Sequence, residues 1–561
     1  MLRRTSRRAA AAALTLALLG TAGLVTALSP AFSQASNGLS AAPGPVAAAG
    51  QGAAPAGRAA GWASLLRGAH DLGASRAATA EVLVTLRGHR RPSALLSWAA
   101  RAGLRATWFA GQPAAMLTAR PAVLGPALGV RIDDFRLPGY GVFYASRRSG
   151  HVPARLDGEV TGVGRITSLG QVHPAGVPVG PAVGGLSPGG FANTYDIRPL
   201  WNRGDVGQGQ TIVFFEVDGY SPADLAAYAA RFGLPAFPSP LPGIGPDTKA
   251  LGESDMDIEV AHAIAPGASL VYVNLAAFGG RNASPAAQFT QAFSTVARQY
   301  PGAIWSISLG QCEDIFSPAD AAAANSAVQA AEQAGTTAFV ASGDSGGLEC
   351  LGFHDRDSRI PAAGISFPGD LPQVTTVGGT ALQLSSAGRF LGQAAWTEPL
   401  LSQGSTGGPS VLFTQQSWQQ APGVISSYSD GSPCGQPAGR YCREVPDVAA
   451  DAAPSSGAAV RVKGRWVSEG GTSLATPVWA SMTALIDQYL RSRGDNPVGF
   501  ANPALYRLAS HPPPLLAIRD VTVGTNDFYP AGPGYDMVTG LGSPDAWHLA
   551  RNLASLTGRR R

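Results

Sequence analysis

The 561-residue sequence is poor in charge and in cysteine, and each shortage excludes a class of protein. Charged residues make up 14% of the chain and apolar residues 45%, which is typical of a globular protein and not of a disordered one. The net charge is +4 and no long basic run occurs, so we expect no nucleic-acid partner. The four cysteines, Cys312, Cys350, Cys434 and Cys442, form no Cys-x-x-Cys pair, which argues against a zinc site.

The N-terminus has the order of an export signal. Four arginines among the first eight residues precede an uncharged stretch, 9–28, and small residues follow around Ser33 and Ala35. We predict a cleaved signal peptide over 1–35 and a secreted, extracellular protein without stable membrane association. An uncleaved membrane anchor is the alternative, although the many Ala, Thr and Gly residues make the stretch weakly hydrophobic.

The cysteines of an exported protein favour two disulfides. A bond between Cys434 and Cys442 would close a short Gly/Pro loop and leave Cys312 to pair with Cys350. Four cysteines permit three pairings, so the sequence alone leaves the choice open.

Composition divides the chain into parts. Residues 36–77 are predicted to be a linker, because Ala, Gly, Pro and Ser dominate from Ser36 to Gly61. A small α+β pattern over 78–185 follows, and its last part belongs to a second Pro/Gly-rich segment, 170–190. Its strands are predicted over 81–87, 114–119 and 141–146, and its helix over 92–103.

Residues 186–561 alternate short apolar runs with helical patterns. This alternation predicts a parallel sheet that is covered by helices on both faces. Functional sites in such sheets form at the carboxyl ends of the strands. Buried strands are predicted over 211–217, 269–275, 303–310 and 336–343, and helices over 318–335 and 473–490.

Two serines compete as nucleophile. GDSGG, residues 343–347, matches the sequence around the nucleophilic serine of trypsin-like proteases. The fold of those proteases is all-β, whereas here the motif follows a long helix and a buried strand. GGTSLATP, residues 470–477, places Ser473 at a loop-to-helix transition. The free N–H groups and positive dipole of a helix N-terminus suit a nucleophile whose reaction builds an oxyanion nearby. The sequence therefore favours Ser473 over Ser345.

A general base for this serine is predicted on a helix within LGESDMDIEVAHAIAPGA, residues 251–268. No histidine stands in the His-Gly-Thr setting of subtilisins, and His262 is predicted to be a packed helix residue. Glu253 and Asp257 are four residues apart, which places both carboxyls on one helix face, while Asp255 points elsewhere. A buried pair of this kind shares protons, and one pKa rises, which gives an acid/base group that works in acid.

Together these motifs resemble the sedolisins, the serine-carboxyl peptidases related to subtilisin in fold. The sequence carries ESDMD (253–257), SGDSG (342–346) and GTSLATP (471–477) in the order of that family, with TGGPSVLF and VPDVAADAAP between them. The resemblance covers the chain from about Ala78. It implies an α/β, subtilisin-like peptidase domain over 186–561, with a parallel sheet flanked by helices, and a small α+β (ferredoxin-like) activation prodomain over 78–185.

The resemblance also implies roles for the site residues. Ser473 would be the nucleophile, Glu253 its general base and then the acid to the leaving amine, and Asp257 the group that holds and tunes Glu253. Asp344, kept protonated, would donate a hydrogen bond to the oxyanion. Glu216, at the end of a strand, is a candidate to support Glu253 through a further hydrogen bond. Leu309 stands where some relatives have an aromatic residue.

The Gly-rich segment 518–544 has spaced aspartates, and it does not match the EF-hand pattern. The resemblance implies one structural Ca²⁺ ion here, with Asp527 as a rival ligand. The implied ligands are the side chains of Asp520 and Asp536 and the carbonyls of Val521, Gly532 and Gly534.

The sequence thus predicts a secreted, acid-acting serine-carboxyl endopeptidase that is made as a self-processing zymogen and is a monomer. Its partners would be protein or peptide substrates and its own propeptide as an intramolecular inhibitor. The mature chain would begin between Val177 and Ala192. The alternatives are a tripeptidyl aminopeptidase of the same family and a catalytically dead secreted binding protein.

Overall fold

The computed structural model describes residues 61–557, apart from 138–140, 171–172, 175–176, 182–184, 247, 280–282, 351–363, 399–402, 425 and 512–515. The predicted signal peptide, 1–35, and the first part of the predicted linker lie outside these residues. Within the described chain, no helix combines the length and the apolar character needed to cross a membrane.

The N-terminal part is a small α+β unit. Its elements are α1 (Gly61–Gly68), β1 (His70–Ala74), β2 (Ala80–Leu86), α2 (Ser93–Arg101), β3 (Arg105–Trp108), β4 (Ala114–Ala119), α3 (Pro121–Ala127), β5 (Asp133–Leu137), β6 (Gly141–Ala145) and β7 (Val160–Val163). The strand order β3-β4-β2-β7, with α2 and α3 as connections, is the predicted ferredoxin-like β-α-β-β-α-β arrangement. The strands β1, β5 and β6 form a second, three-stranded sheet with the strand order β1-β5-β6.

The linker prediction is wrong for its last part, because α1 and β1 occupy 61–74. The low-charge composition that suggested a linker ends at Gly61. Beyond it, Leu65 and Leu66 are almost fully buried in a core that also contains Phe135. Burial of apolar side chains therefore orders this segment.

The larger part of the chain begins with two short strands in the Pro/Gly-rich segment and continues as alternating strands and helices. Its helices are α4 (Pro188–Thr194), α5 (Arg198–Asn202), α6 (Pro222–Phe232), α7 (Glu253–Ile264), α8 (Pro285–Gln299), α9 (Pro318–Gln333), α10 (Thr472–Ser492), α11 (Asn502–Ser510) and α12 (Ala546–Thr557).

The strands of this part run from β8 to β27. They are β8 (His173–Pro174), β9 (Val177–Pro181), β10 (Thr211–Glu216), β11 (Gly243–Ile244), β12 (Ser269–Asn274), β13 (Ile304–Ile307), β14 (Leu309–Cys312), β15 (Thr337–Ala341), β16 (Ser366–Phe367), β17 (Thr375–Leu384), β18 (Phe390–Ala395), β19 (Thr397–Glu398), β20 (Gln403–Gly404), β21 (Gly408–Thr414), β22 (Cys442–Val445), β23 (Val448–Asp451), β24 (Ala458–Val462), β25 (Arg465–Gly470), β26 (Ile518–Arg519) and β27 (Ser543–Pro544).

The main sheet has the strand order β11-β12-β10-β13-β15-β17-β18, and β23 also pairs with β17. All these pairs are parallel except β17 with β18. Alternate residues of β10 enter different cores: Phe214 packs with α7 and α10, whereas Phe215 packs with α8 and α9. The sheet is therefore covered on both faces, as predicted.

The two parts of the chain pack directly on one another. The N–H of Arg165, after β7, donates to Asp320 of α9 at 2.9 Å, and the Arg165 guanidinium donates to the carbonyl of Phe316 at 3.0 Å. The same guanidinium lies over the ring of Trp62 in α1. Both predicted disulfides, Cys312–Cys350 and Cys434–Cys442, are present.

Two strands of the Pro/Gly-rich segment pair with β14 and β25, which lie near Ser473. β8 pairs antiparallel with β14, with Leu309 opposite Pro174. β9 pairs antiparallel with β25, with Gly470 opposite Val177. The segment therefore approaches the predicted nucleophile from both sides.

Candidate functional site

Ser473 lies in the first turn of α10, fully buried. β25 ends at Gly470, and Gly471 follows with φ 95° and ψ 163°, a conformation that side chains rarely allow. The N-cap position is Gly471, so Ser473 is free of the capping role that would have explained an ordinary serine there. Its hydroxyl is 3.5 Å from the carbonyl oxygen of Ser308.

Asp344 is held against the same helix end. Its Oδ1 accepts hydrogen bonds from the N–H of Thr472 at 2.7 Å and from the Thr472 hydroxyl at 2.8 Å. That hydroxyl accepts in turn from the N–H of Gly343 at 3.1 Å. Oδ2 of Asp344 is buried and has no partner among the described residues. Burial raises the pKa of Asp344 to about 8, so the carboxyl keeps its proton in acid.

Glu253 and Asp257 lie on α7, and both are buried, as predicted. Burial, and then the charge of Asp257, raise the pKa of Glu253 well above its ordinary value, while a hydrogen bond with the Ser473 side chain lowers it. Burial also raises the pKa of Asp257, opposed by a short hydrogen bond from the Ser308 hydroxyl. The Ser308 hydroxyl is also 3.4 Å from the backbone oxygen of Ser473, so it links the acid pair to the serine.

Asp218, which the sequence analysis missed, fixes the N-terminus of α7. It accepts hydrogen bonds from the N–H groups of Leu251, Gly252 and Ser254 and from the Ser254 hydroxyl, at 2.6 to 3.2 Å. A carboxylate suits the free N–H groups of a helix start. The sequence signal was an acid just after a buried strand, but its partners lie more than 30 residues further on.

Glu216 ends β10 and is fully buried. Burial raises its pKa, followed by the charges of Asp257, Asp218 and Glu253. The predicted hydrogen bond from Glu216 to Glu253 is not formed in the described chain, and the side chain that lowers the pKa of Glu216 is that of Ser254. Leu309, in place of an aromatic residue, is fully buried at the start of β14.

Glu469 is a further buried carboxyl that the sequence analysis missed, four residues before Ser473. It is 4% exposed, and an added Cβ on Gly252 would lie 3.5 Å from its Oε1, which places it at the start of α7. Burial raises the pKa of Glu469 to about 8, helped by the charge of Asp255 and opposed by Lys463. An acid directly before the Gly-Gly-Thr-Ser motif was the available sequence signal.

Other candidates lie outside this cluster. His262 is buried on α7, with a ring nitrogen 2.7 Å from the carbonyl of Pro235, and so is the predicted packed residue. Asp255 accepts from the N–H of Ser221 at 2.6 Å and burial raises its pKa to about 7. The backbone N–H of Ser345 is bonded to the hydroxyl of Thr406.

In the predicted metal loop, each of the two aspartates accepts a hydrogen bond from a glycine N–H of the same Gly-rich turn. The N–H of Gly534 donates to Asp520 at 2.8 Å and that of Gly532 donates to Asp536 at 3.0 Å. Burial raises the pKa of Asp536 to about 6. Two carboxyls against one Gly-rich turn fit a hard cation such as Ca²⁺. Asp527 is exposed on a separate turn, and no contact joins it to either aspartate among the described residues.

A second group of possible metal ligands, Asp196, Asp545 and His548, lies elsewhere. Asp545 already forms an ion pair with Arg519 at 2.8 Å and lies 3.3 Å from the His548 ring nitrogen. Its charge is therefore balanced without an ion.

Comparison with known proteins agrees with this geometry. The sequence model of the Subtilase family matches residues 248–503. Kumamolisin of Bacillus sp. (strain MN-32) is 36% identical over 369 residues, which are 62% of this chain and 60% of the relative. The solved structure of Pseudomonas sedolisin, a serine-carboxyl proteinase in complex with pseudo-iodotyrostatin, has a TM-score of 0.54 at 28% identity and covers 67% of this chain and 99% of its own.

The chain is thus similar in sequence and in fold to peptidases of the sedolisin family. Tripeptidyl-peptidase 1 of Macaca fascicularis is 33% identical over 263 residues, or 45% of this chain and 43% of the relative. The chain thus matches between about two fifths and three fifths of the length of these curated sedolisin relatives.

We predict that acid stabilises this fold. Asp344 and Glu469 have pKa values raised to about 8, so between their ordinary values and about 8 the folded protein holds protons that the unfolded chain has lost. Stability is then complete in acid and falls as the pH rises through this window. The melting temperature of the Ser473→Ala protein, which excludes self-cleavage, should fall by about 10 °C between about pH 5 and about pH 8.

Differential scanning fluorimetry at constant ionic strength measures this dependence. Asp344→Asn has no titrating carboxyl at this position, so its melting temperature should change less with pH. A melting temperature that rises with pH across this range would contradict the prediction.

Proposed function

We propose that the protein is a secreted, acid-acting serine-carboxyl endopeptidase made as a self-processing zymogen. The observation that carries the proposal is the convergence of Ser473, Glu253, Asp257 and Asp344 at the N-terminus of α10. Pseudomonas sedolisin, which resembles this chain in fold, is a serine-carboxyl proteinase, and this supports the proposal.

In the proposed mechanism, the Ser473 hydroxyl attacks the peptide carbonyl and transfers its proton to ionised Glu253. The neighbouring carboxyl of Asp257 makes Glu253 a stronger base than an isolated glutamate, because like charges raise its pKa. The tetrahedral oxyanion accepts hydrogen bonds from the Ser473 N–H and from protonated Asp344. Glu253 then gives its proton to the leaving amine, and water, activated by the same carboxylate, hydrolyses the acyl-enzyme.

The pH range follows from the two opposite requirements on these carboxyls. Asp344 must be neutral, and its raised pKa keeps it so below about 8. Glu253 must be ionised, which burial and the charge of Asp257 oppose and the hydrogen bond with Ser473 favours, so activity also falls as the pH drops below the pKa of Glu253. An ionised Asp344 would repel the oxyanion, so activity is lost as the pH rises through the pKa of Asp344.

The zymogen part of the proposal rests on the Pro/Gly-rich segment. β8 pairs with β14 and β9 pairs with β25, so the segment covers the approach to Ser473 on both sides. Pro174, Pro178 and Pro181 carry no N–H, which leaves this ladder short of donors and eases its release. A chain that continues in both directions through the cleft favours an endopeptidase over a tripeptidyl aminopeptidase.

We expect acid to trigger self-processing. Purified protein incubated from about pH 3 to about pH 9 should lose its N-terminal part only below about pH 8, up to a new N-terminus between Val177 and Ala192, and should gain activity on a denatured protein. Ser473→Ala should do neither. Gel electrophoresis, N-terminal mass spectrometry and the hydrolysis rate give the readout.

The Ser473→Ala protein must keep the wild-type melting temperature for this comparison to count. A wild type that stays intact and inert at every pH would favour a secreted binding protein on a dead peptidase scaffold. Release of tripeptides alone from a long substrate would favour the aminopeptidase.

We further propose that the loop around Asp520 and Asp536 holds one structural Ca²⁺ ion, with the carbonyls of Val521, Gly532 and Gly534. The ion would supply positive charge between two carboxyls that otherwise repel one another. Its role would be to fold the C-terminal loop and not to take part in hydrolysis.

Chelation should therefore lower stability. EDTA should reduce the melting temperature by several degrees, about 5 °C or more, and added Ca²⁺ should restore it. Asp520→Asn should melt at the chelated temperature and no longer respond to Ca²⁺. Asp527→Asn is the matched control and should respond as the wild type does; if it alone abolishes the response, Asp527 is the ligand.

A further inference from the structure

β25 has two different partners at its two edges. One edge pairs with β24 of the same part of the chain, from Ala458 opposite Glu469 to Val462 opposite Arg465. The other edge pairs with β9, which must leave this edge after self-processing, whether it is cut off or becomes a free N-terminal end. Removal of β9 leaves a free row of N–H and C=O groups that ends three residues before Ser473. An extended peptide can add to such an edge as a further strand.

The chain direction tells which part of a peptide this edge would receive. β8, on β14, precedes β9 in the chain, and the Ser473 hydroxyl lies between these two pairings, against the Ser308 carbonyl. A peptide with the same direction has its upstream residues on β14 and its downstream residues on β25. β25 is therefore an acceptor for the residues that follow the cleaved bond.

The register places one peptide residue beside a buried acid. Glu469 lies directly opposite Pro178, and Ser468 lies opposite Val179. Side chains of directly opposed residues share one face of the sheet, with Cβ atoms about 5 Å apart, and the next residue faces the other way. A substrate residue at the Pro178 position would share the face of Glu469, whereas one at the Val179 position would not.

The surroundings of Glu469 favour a cation. Carboxyl groups outnumber cationic groups around Glu469, and β9 itself carries no charged residue. The charged groups that act on Glu469, or on which it acts, are Asp218, Glu253, Asp255, Asp257, Glu259 and Lys463. With five carboxyls against one ammonium, a carboxyl that ionises here has too few cations around it, so an added positive charge favours its ionised form.

We propose that β25 binds the downstream part of the substrate as an antiparallel strand and that Glu469 selects Lys or Arg at the residue opposite it. The inference rests on the proposed peptidase function and assigns part of its specificity. A bound lysine favours the ionised form of Glu469, so the selection strengthens as the pH rises towards the pKa of this carboxyl.

Peptides with the sequence of residues 170–184 test the register. Residue 178 is replaced by Lys, Gln or Glu, and residue 179 by Lys in a control peptide. Because none of the residue-178 replacements is proline, the three peptides differ in charge and not in ladder donors. The acid-processed enzyme should cleave the Lys peptide with a kcat/KM about tenfold above that of the Gln peptide at about pH 6, with a smaller ratio at about pH 4.

Glu469→Gln should bring the Lys-to-Gln ratio to about one, and Glu469→Lys should favour the Glu peptide. The Val179→Lys control peptide should show no dependence on Glu469. Mass spectrometry identifies the cleaved bond in each peptide.

The selectivity of Glu469 and the peptidase function can be contradicted separately. If the enzyme hydrolyses a denatured protein but cleaves the Lys, Gln and Glu peptides alike, the assignment of Glu469 is wrong and the peptidase function stands. If the Lys preference persists in Glu469→Gln, another carboxyl makes the selection and the register is wrong. If neither peptide nor protein is cleaved while the melting temperature is normal, the inference and the proposed function are both overturned.

Discussion

Removal of carboxyl groups from water is the constraint on which this structure depends. Around the N-termini of α7 and α10, the protein buries acids without a matching number of cations, and burial is the largest cause of the raised pKa of Asp344, Glu253 and Asp257 alike. A carboxyl that keeps its proton becomes a hydrogen-bond donor, and one that shares a proton becomes a stronger base. The same physical effect thus makes one carboxyl a hydrogen-bond donor and another a general base.

The scaffold keeps these acids apart in function because their hydrogen-bond partners differ. Asp344 accepts hydrogen bonds from the backbone N–H and the hydroxyl of Thr472, next to the nucleophile. Asp257 instead accepts from the Ser308 hydroxyl, which also lies near the backbone oxygen of Ser473. Asp218 is bound by the free N–H groups at the start of α7, which fixes the position of Glu253 at the helix terminus. Helix starts therefore do most of the positioning, since their N–H groups are free to hold acidic oxygens.

The sequence predicted what local rules determine. A spacing of four on a helix gives Glu253 and Asp257 a common face, and alternating apolar runs give the parallel sheet, so both were predicted without coordinates. Asp218 and Glu469 were missed because their neighbours come from distant parts of the chain, and burial is a tertiary property. The linker was predicted to extend too far for a similar reason. Beyond Gly61 the composition no longer indicates a linker, and Leu65 and Leu66 are buried in a core to which β5 contributes.

The contacts between the two parts of the chain bear on how acid would start self-processing. Two carboxyls bond across this interface: Asp320 to the N–H of Arg165, and Glu81 to the N–H of Ser284. Burial raises the pKa of both, so the packed arrangement binds their protons more tightly than a separated one and acid favours packing. Protonation of these groups therefore does not release the N-terminal part. In the proposed zymogen, acid acts first on the chemistry at Asp344, and the chain is cut while the N-terminal part is still in place.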